Sequence, residues 1–247
     1  MFKRCTAPCT DEAERTVAVT TYEVGLEQEK TDKIAAVAAR ARTVAAELGQ
    51  DPAALSTFLR HYFRHVDAGD IDERDVADLL GVVESHYRAA LVRPTGTDVI
   101  QVLPPSQSGD ISGTGGATVM QVVTDDLPFL VDSVTMEVLR QGWSIREVFH
   151  PQFLVRRDAD GRLAGIVSAE VAASDASVVH ESWMHLEILP PSSARRDGSA
   201  GPELAAGVQE VLDLVGQAVE DWRAMTRRVE KLRPLRMRST SYLIGSV

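Results

Sequence analysis

Between residues 117 and 230 the spacing of apolar residues switches between a period of two and a period of about 3.6, and this switching constrains the fold most. Thr118–Thr124 is rich in β-branched residues and predicts a strand. An apolar stripe that begins at Leu130 then predicts a helix, which Gly142 is expected to end because glycine favours the left-handed backbone that follows a helix. The region therefore starts with a strand and a helix.

Three further strand patterns and one long helix complete this region. The strands are Trp143–Arg157, Leu163–Val171 and Glu181–Leu189. Pro151 forces a bulge or an edge position in the first strand, and Asp158–Gly161 predicts the hairpin turn that follows it. An amphipathic helix spans Val208 to Met225, and Pro234 is expected to end it. The order β-α-β-β-β-α predicts an α+β fold, a small sheet with helices on one face.

The residues before 117 predict a small helical unit and a linker. Three helical stripes begin at Ile34, Leu55 and Val76, and Asp70–Asp72 is expected to cap the third helix. Proline and glycine interrupt the next segment, in which Asp98–Leu103 predicts one short strand. The predicted domains are an irregular lead-in (1–30), a helical unit (31–92), a linker (93–116), the sheet domain (117–230) and a basic tail (231–247).

Composition argues against several classes of function. The net charge is −10, so the basic surface that binds nucleic acid is not expected. No apolar run reaches the roughly 18 residues of a membrane span, and a polar stretch follows Lys3 and Arg4 where a signal peptide would be apolar. The two cysteines, Cys5 and Cys9, supply only half a zinc site. We therefore expect a cytoplasmic protein that binds no nucleic acid, membrane or metal.

Few patterns in the sequence indicate chemistry. The glycines of 113–116 precede a strand, whereas a dinucleotide-binding loop follows one, so they indicate a linker. His180 and His185 are five residues apart and would point to opposite sides of a strand, which argues against a shared zinc ion. His61 and His65 lie on one side of a helix, either as a polar face or as two ligands of a metal whose third ligand is distant in sequence.

Two adjacent acids stand where the first strand of the sheet domain meets its helix. Asp125 and Asp126 are either a pair of ligands or acids that cap the helix, and their position before Leu127 favours capping. His150 lies inside a strand pattern and is interpreted as structural. An enzyme would have to use Asp125, Asp126, His150 and His185, and we assign no catalytic residue.

Several segments, in one order, carry a family resemblance. They are TVMQVVTDDLPFLVDSVTME (118–137), HPQFLVRRD (150–158), ESWMHLEI (181–188) and VEDW (219–222). The helical unit is also similar, from FRHV (63–66) through Arg93-Pro94 to Leu103-Pro104. Over roughly residues 30–225 the chain resembles the N-terminal region of the large-subunit class of bacterial NAD-dependent glutamate dehydrogenases.

The resemblance implies that the helical unit is followed by an ACT-like, ferredoxin-like, mostly antiparallel sheet. Such βαββαβ modules sense amino acids or hold subunits together. The implied effector site is the turn between strand and helix, formed by Asp125, Asp126, Leu127, Pro128, Phe129 and Leu130. Phe129 departs from the glycine that many effector-binding ACT domains carry after the proline, and the two acids would repel an anion. A packing or assembly role is therefore favoured over effector binding.

The resemblance also implies the reaction of a parent enzyme, which converts L-glutamate and NAD to 2-oxoglutarate, ammonium and NADH. The catalytic and NAD-binding domains of this family lie downstream of the similar region. We therefore expect this chain to be a fragment with no activity and no cofactor of its own, NAD serving the full-length enzyme. The expected partners are further copies of the chain, through the ACT-like domain, and an amino-acid effector. The alternative is a free-standing amino-acid sensor.

Overall fold

The computed structural model describes residues 27–41, 58–105, 116–167, 172, 175–192 and 200–236. The helices are α1 (residues 27–41), α2 (residues 58–62), α3 (Ala68–Asp72), α4 (Val76–Ala90), α5 (Leu130–Arg140) and α6 (Ala200–Arg236). The strands are β1 (Val99–Leu103), β2 (Thr118–Asp125), β3 (Ser144–Phe149), β4 (Gln152–Arg157), β5 (Leu163–Ile166) and β6 (Val178–Leu189).

The strands form one antiparallel sheet in which β6 is central. β2 pairs with β6 from Thr118, opposite Ile188, to Asp125, opposite Glu181. β3 and β4 lie in line along the other side of β6, and β5 extends the sheet beyond β4. Pro151 separates β3 from β4, and its carbonyl accepts a hydrogen bond from the β6 backbone. The long strand predicted from Trp143 is thus interrupted at the proline, which has no N–H to donate.

Helices cover both faces of the sheet. Val119 and Val123 of β2 pack in the core formed with α1 to α4. Met120 and Val122 pack in the core formed with α5 and α6, because successive strand residues point to opposite faces. The prediction that the helices of the sheet domain share one face is therefore confirmed, and the fold is α+β and ACT-like. The helical unit adds a third layer on the opposite face.

The helical unit and the sheet share one hydrophobic core. The ring of Phe58 lies 4.9 Å from that of Phe153 and 5.2 Å from that of Trp183, both on the sheet. The segment predicted as a linker supplies β1, which pairs with β2, so the strand predicted at Asp98–Leu103 is confirmed. The domain boundaries themselves stay a prediction.

Local signals placed some turns correctly and some helix ends wrongly. Gly142, with a φ of 82°, follows α5 as predicted. Helix α1 already includes residues 27–30, within the predicted lead-in. Helix α4 begins after Asp75, because Asp70–Asp72 lies in the separate short helix α3. Helix α6 continues to Arg236, so Pro234 does not end it; the proline lies in the last turn, where the final carbonyls already lack partners within the helix.

Candidate functional site

The predicted effector turn lies between β2 and α5, and its acids are bound to neighbouring segments. The guanidinium of Arg93 donates to the carboxylate of Asp125. The amide of Gln152 donates to the carboxylate of Asp126 at 2.8 Å, and the Asp126 N–H donates to the carbonyl of His180 at 2.9 Å. These contacts fix the turn to β4, to β6 and to the segment before β1.

The helix-capping interpretation of Asp125 and Asp126 is wrong. The N-cap position of α5 is Phe129, which makes no side-chain capping bond. Three residues separate the carboxylate of Asp125 from that position, and both acids accept hydrogen bonds from side chains distant in sequence. An acid caps a helix only when it occupies the N-cap itself or the first turn.

Phe129 has the unusual backbone of the turn. Its φ is 69°, and it is the one non-glycine residue in the described ranges with a positive φ. The left-handed conformation costs an L-residue about 1 to 2 kcal/mol, so Phe129 adopts a backbone that glycine would adopt more easily. Its side chain is 72% exposed, whereas Leu130 is buried beneath it and Leu127 packs partly against the same core. The exposed residues of the turn are therefore Asp125, Pro128 and Phe129.

Behind the turn, the buried carboxylate of Glu181 holds two arginines. It accepts hydrogen bonds from Arg93 Nε (2.9 Å), from Arg157 Nε (2.6 Å) and Nη2 (2.8 Å), and from Trp183 Nε1 (3.0 Å). The side chains of Arg93, Arg157 and Glu181 are at most 5% exposed. Burial alone would raise the pKa of Glu181, but Arg157 and Arg93 lower it. Through Arg93, this cluster positions Asp125 at the turn. The sequence carried no local signal for it.

A second buried polar cluster lies between α4 and the sheet. His86 donates from Nε2 to the carbonyl of Val122 at 3.3 Å, so its Nδ1 accepts from the Tyr62 hydroxyl at 2.9 Å. The amide of Gln121 donates to Nδ1 of His185 at 3.1 Å. Burial, and then the neighbouring His185, lower the pKa of His86 from 6.5 to about 3, so the ring is neutral at physiological pH.

Arg74 and Glu187 lie at the other end of this cluster. Their side chains form an ion pair at 2.6 Å, and the Arg74 guanidinium also lies 5.2 Å from the centre of the Phe149 ring. Although burial alone would raise it, the pKa of Glu187 is lowered to about 2, because the Arg74 guanidinium in contact with it stabilises the ionised carboxylate. His185 Nε2 lies 3.8 Å from Glu187 Oε1, which is too far for a hydrogen bond. Glu187 and His185 are completely buried and Arg74 is only partly accessible, so the Arg74–Glu187 ion pair lies largely inside the protein.

The four residues that an enzyme would need are not all brought to one place, although Asp126 lies near His150. His185 faces the N-terminal helices, whereas Ser182, three residues before it on β6, points to the opposite face. His150 shares a hydrogen bond with the Ser182 hydroxyl, and burial lowers the pKa of His150 while Asp126 raises it. Because the side chain of Ser182 is completely buried, its hydroxyl is not accessible as a nucleophile, whereas His150 is half-buried.

An apolar groove of about 930 Å³ runs between α5 and α6, beside the turn. On one side it is lined by Phe129, at the N-cap of α5, and by Met136 of α5. On the other side it is lined by Leu214 and Trp222 of α6, and each of the four is more than half exposed. The carboxylate of Glu137 at its edge is already paired with Arg140 at 2.6 Å. Contiguous exposed apolar surface of this kind is typical of interaction sites and of ligand-binding grooves.

Neither a metal cluster nor a membrane span occurs in the described ranges. No three His, Cys, Asp or Glu side chains there are grouped so that they could hold a metal ion. Of the predicted candidates, His61 lies in α2 and His65 just after it, while Cys5, Cys9 and residues 113–115 are outside the described residues. No described helix combines the length and the apolar character needed to cross a bilayer.

Comparison with known proteins identifies relatives. Residues 58–198 match the family model described as glutamate dehydrogenase, ACT1 domain. The chain is 31% identical over 182 residues to the NAD-specific glutamate dehydrogenase of Pseudomonas aeruginosa, and the aligned region covers 72% of this chain and 11% of that protein. It is 29% identical over 199 residues to the NAD-specific glutamate dehydrogenase of Halomonas elongata, and here the aligned region covers 76% of this chain and 12% of that protein. No solved structure matches the chain.

The family match spans more than half of the chain, and the chain spans only about a tenth of the length of these relatives. The matched residues run from α2 to the end of β6, so they include the whole sheet, the turn and the Glu181 cluster. The chain belongs to the glutamate dehydrogenase ACT1 domain family.

Proposed function

We propose that this chain is a regulatory or assembly segment of a large NAD-dependent glutamate dehydrogenase. The observation that carries the proposal is the ACT1 family match, together with two relatives named as NAD-specific glutamate dehydrogenases. In this proposal the whole enzyme converts L-glutamate and NAD to 2-oxoglutarate, ammonium and NADH in the cytoplasm. NAD would bind outside this chain, which performs no chemistry itself.

Assembly is the role that the surface of the domain favours. The buried charges on the sheet are paired internally, as with Glu181 and its arginines or Arg74 and Glu187. The groove between α5 and α6 instead exposes Phe129, Met136 and Trp222 to solvent. Burying apolar surface of this kind contributes about 25 cal/mol per Å², so covering the groove with another copy is favourable.

Sedimentation equilibrium of the purified chain tests the assembly role. We expect a molar mass above that of the monomer that falls on dilution, because association obeys mass action. A single monomeric species at every concentration would refute this role.

An amino-acid effector is the second candidate, favoured by the backbone of Phe129. Strained backbone conformations occur often at ligand-binding sites, and the positive φ of Phe129 lies where α5 begins. A thermal-unfolding screen against the proteinogenic amino acids, with 2-oxoglutarate and NAD as comparison ligands, tests it. An effector would raise the midpoint in a concentration-dependent manner. If no amino acid shifts the midpoint, effector binding is wrong and assembly remains the proposed role.

A further inference from the structure

Helix α6 extends beyond the body of the protein. It has 37 residues, a length of about 55 Å at 1.5 Å per residue. Leu204, Val208, Leu212 and Val219 are buried against the sheet domain. From residue 220 to residue 231 every side chain is exposed apart from the half-buried Ala224, so about 18 Å of helix projects into solvent.

The projecting helix carries an apolar seam. Its members, spaced alternately four and three residues apart, are Val211, Val215, Ala218, Trp222, Met225 and Val229. This repeat of 3.5 residues is the pattern by which two helices pack along their length in a coiled coil. Trp222, Met225 and Val229 are 66%, 54% and 65% exposed. A helix that remained in solvent along its whole circumference would have polar residues at these positions.

The charges of α6 are segregated about Trp222. Before it, residues 200–221 contain five acids and no base: Glu203, Glu210, Asp213, Glu220 and Asp221. After it, residues 223–231 contain four bases, Arg223, Arg227, Arg228 and Lys231, and the single acid Glu230. The helix is thus acidic before Trp222 and basic after it.

We propose that α6 pairs antiparallel with α6 of a second copy, about a twofold axis near residues 223 and 224. In this arrangement the acidic part of each helix lies along the basic part of the other, whereas a parallel pair would place like charges together. Trp222 packs against the partner's Met225, and the small Ala218 accommodates the partner's Val229. The symmetry is closed, because the same surface is used by both copies.

The two residues that flank the seam make the pairing specific. Asp221 and Arg228 directly precede the seam residues Trp222 and Val229, and neither has an ion-pair partner among the described residues. In the antiparallel pair Asp221 lies beside the partner's Arg228, and the twofold axis generates the contact twice.

The second helix also covers the groove between α5 and α6. Beyond the axis, the basic part of the partner helix runs alongside residues 211–222, which form one wall of the groove. It therefore lies over Phe129 and Met136, which are 72% and 69% exposed in the single chain. One contact thus accounts for the exposed residues of both helices.

This pairing rests on the proposed assembly function and specifies its surface. The test is sedimentation equilibrium of the full chain and of variants at exposed positions, with circular dichroism to verify that each is folded. We expect a dimer whose dissociation constant rises more than about a hundredfold in W222E, because a central aromatic contact is lost. In R228E two attractions become repulsions, and the constant rises about tenfold. The swap D221R/R228E restores it to within about threefold of the wild type.

Arg227 supplies the matched control, since it lies on the same helix but points away from the seam. R227E makes the same charge change as R228E and leaves the dissociation constant within about twofold, because an outward charge is screened by solvent. If R227E and R228E weaken the dimer equally, or if the swap fails to restore it, the antiparallel pairing is wrong. An oligomer insensitive to W222E overturns this surface and leaves the assembly function intact, whereas a monomeric wild type overturns both.

Discussion

Replacement of Glu181 by alanine removes the acceptor at the centre of the buried arginine cluster. Four hydrogen bonds are lost, and the guanidinium groups of Arg93 and Arg157 stay out of water. Arg93 retains Asp125 and the carbonyl of Thr97, and Arg157 retains the carbonyls of Ala90 and Gly161. Breaking a buried ion pair costs about 3 to 5 kcal/mol of stability. Because both arginines retain other partners, we expect Glu181→Ala to lower the free energy of unfolding by about 3 kcal/mol.

The assay is urea unfolding followed by far-ultraviolet circular dichroism. Two variants define the effect: Glu181→Ala, and Glu181→Gln, which keeps an acceptor oxygen but removes the charge. We expect the glutamine variant to lose about 2 kcal/mol. Asp175→Asn is the matched control, because its ion pair with Arg156 at 2.7 Å is partly exposed and should contribute at most about 1 kcal/mol.

If Glu181→Ala lowers the free energy of unfolding no more than Asp175→Asn does, the buried cluster does not stabilise the fold as described. The pH dependence supplies a second check. The pKa of Glu181 is lowered on folding, so its contribution is present above the unfolded pKa and is lost as the pH falls through the folded value. The free energy of unfolding of Glu181→Gln should therefore decrease less than that of the wild type as the pH is lowered.

Three further predictions concern the backbone and the buried histidine. Gly161→Ala should lower the free energy of unfolding in urea by more than about 2 kcal/mol, because φ is +78° and a Cβ there would lie 2.5 Å from the Arg93 carbonyl oxygen. Gly165→Ala is the control: a Cβ there meets open space, so the free energy of unfolding should change by under about 1 kcal/mol. Phe129→Gly should leave the free energy of unfolding within about 1 kcal/mol of the wild type, because relief of the left-handed backbone offsets the greater freedom of the unfolded chain. Phe129→Val keeps the unfavourable backbone and should destabilise the protein; equal losses in the two variants would show that the backbone of residue 129 is not strained. The pKa of His86 falls from 6.5 to about 3 on folding, so below pH 6.5 the unfolded chain binds a proton that the folded protein does not. The free energy of unfolding should therefore be about 2 kcal/mol lower at pH 5 than above pH 6.5. In urea titrations at several pH values, His86→Gln should reduce the dependence of the free energy of unfolding on pH between 5 and 6.5. If that dependence is unchanged, a group other than His86 causes it.

Local patterns predicted the elements whose cause is local. β2 follows from its β-branched residues, the turn at Asp158–Gly161 from its glycine at φ +78°, and the end of α5 from Gly142. The break at Pro151 follows from the missing N–H. These residues determine their own backbone, so a single sequence suffices.

The site depends on contacts between distant residues, and there the sequence was insufficient. Asp126 precedes a helix and resembles a cap, but its partner is Gln152, 26 residues away. Glu181, His185 and Glu187 alternate along β6 like the solvent-facing side of a sheet, yet all three are completely buried because the helical unit covers that face. No periodicity within β6 indicates that the helical unit covers this face.

We propose that this chain contributes to a glutamate dehydrogenase without catalysing the reaction. The most direct measurement is the absorbance of NADH when the purified chain is incubated with L-glutamate and NAD. We predict no NADH formation above the rate of the buffer at any concentration of the chain. NADH formation that increases in proportion to the chain, and that persists in an independently purified sample, would contradict the claim.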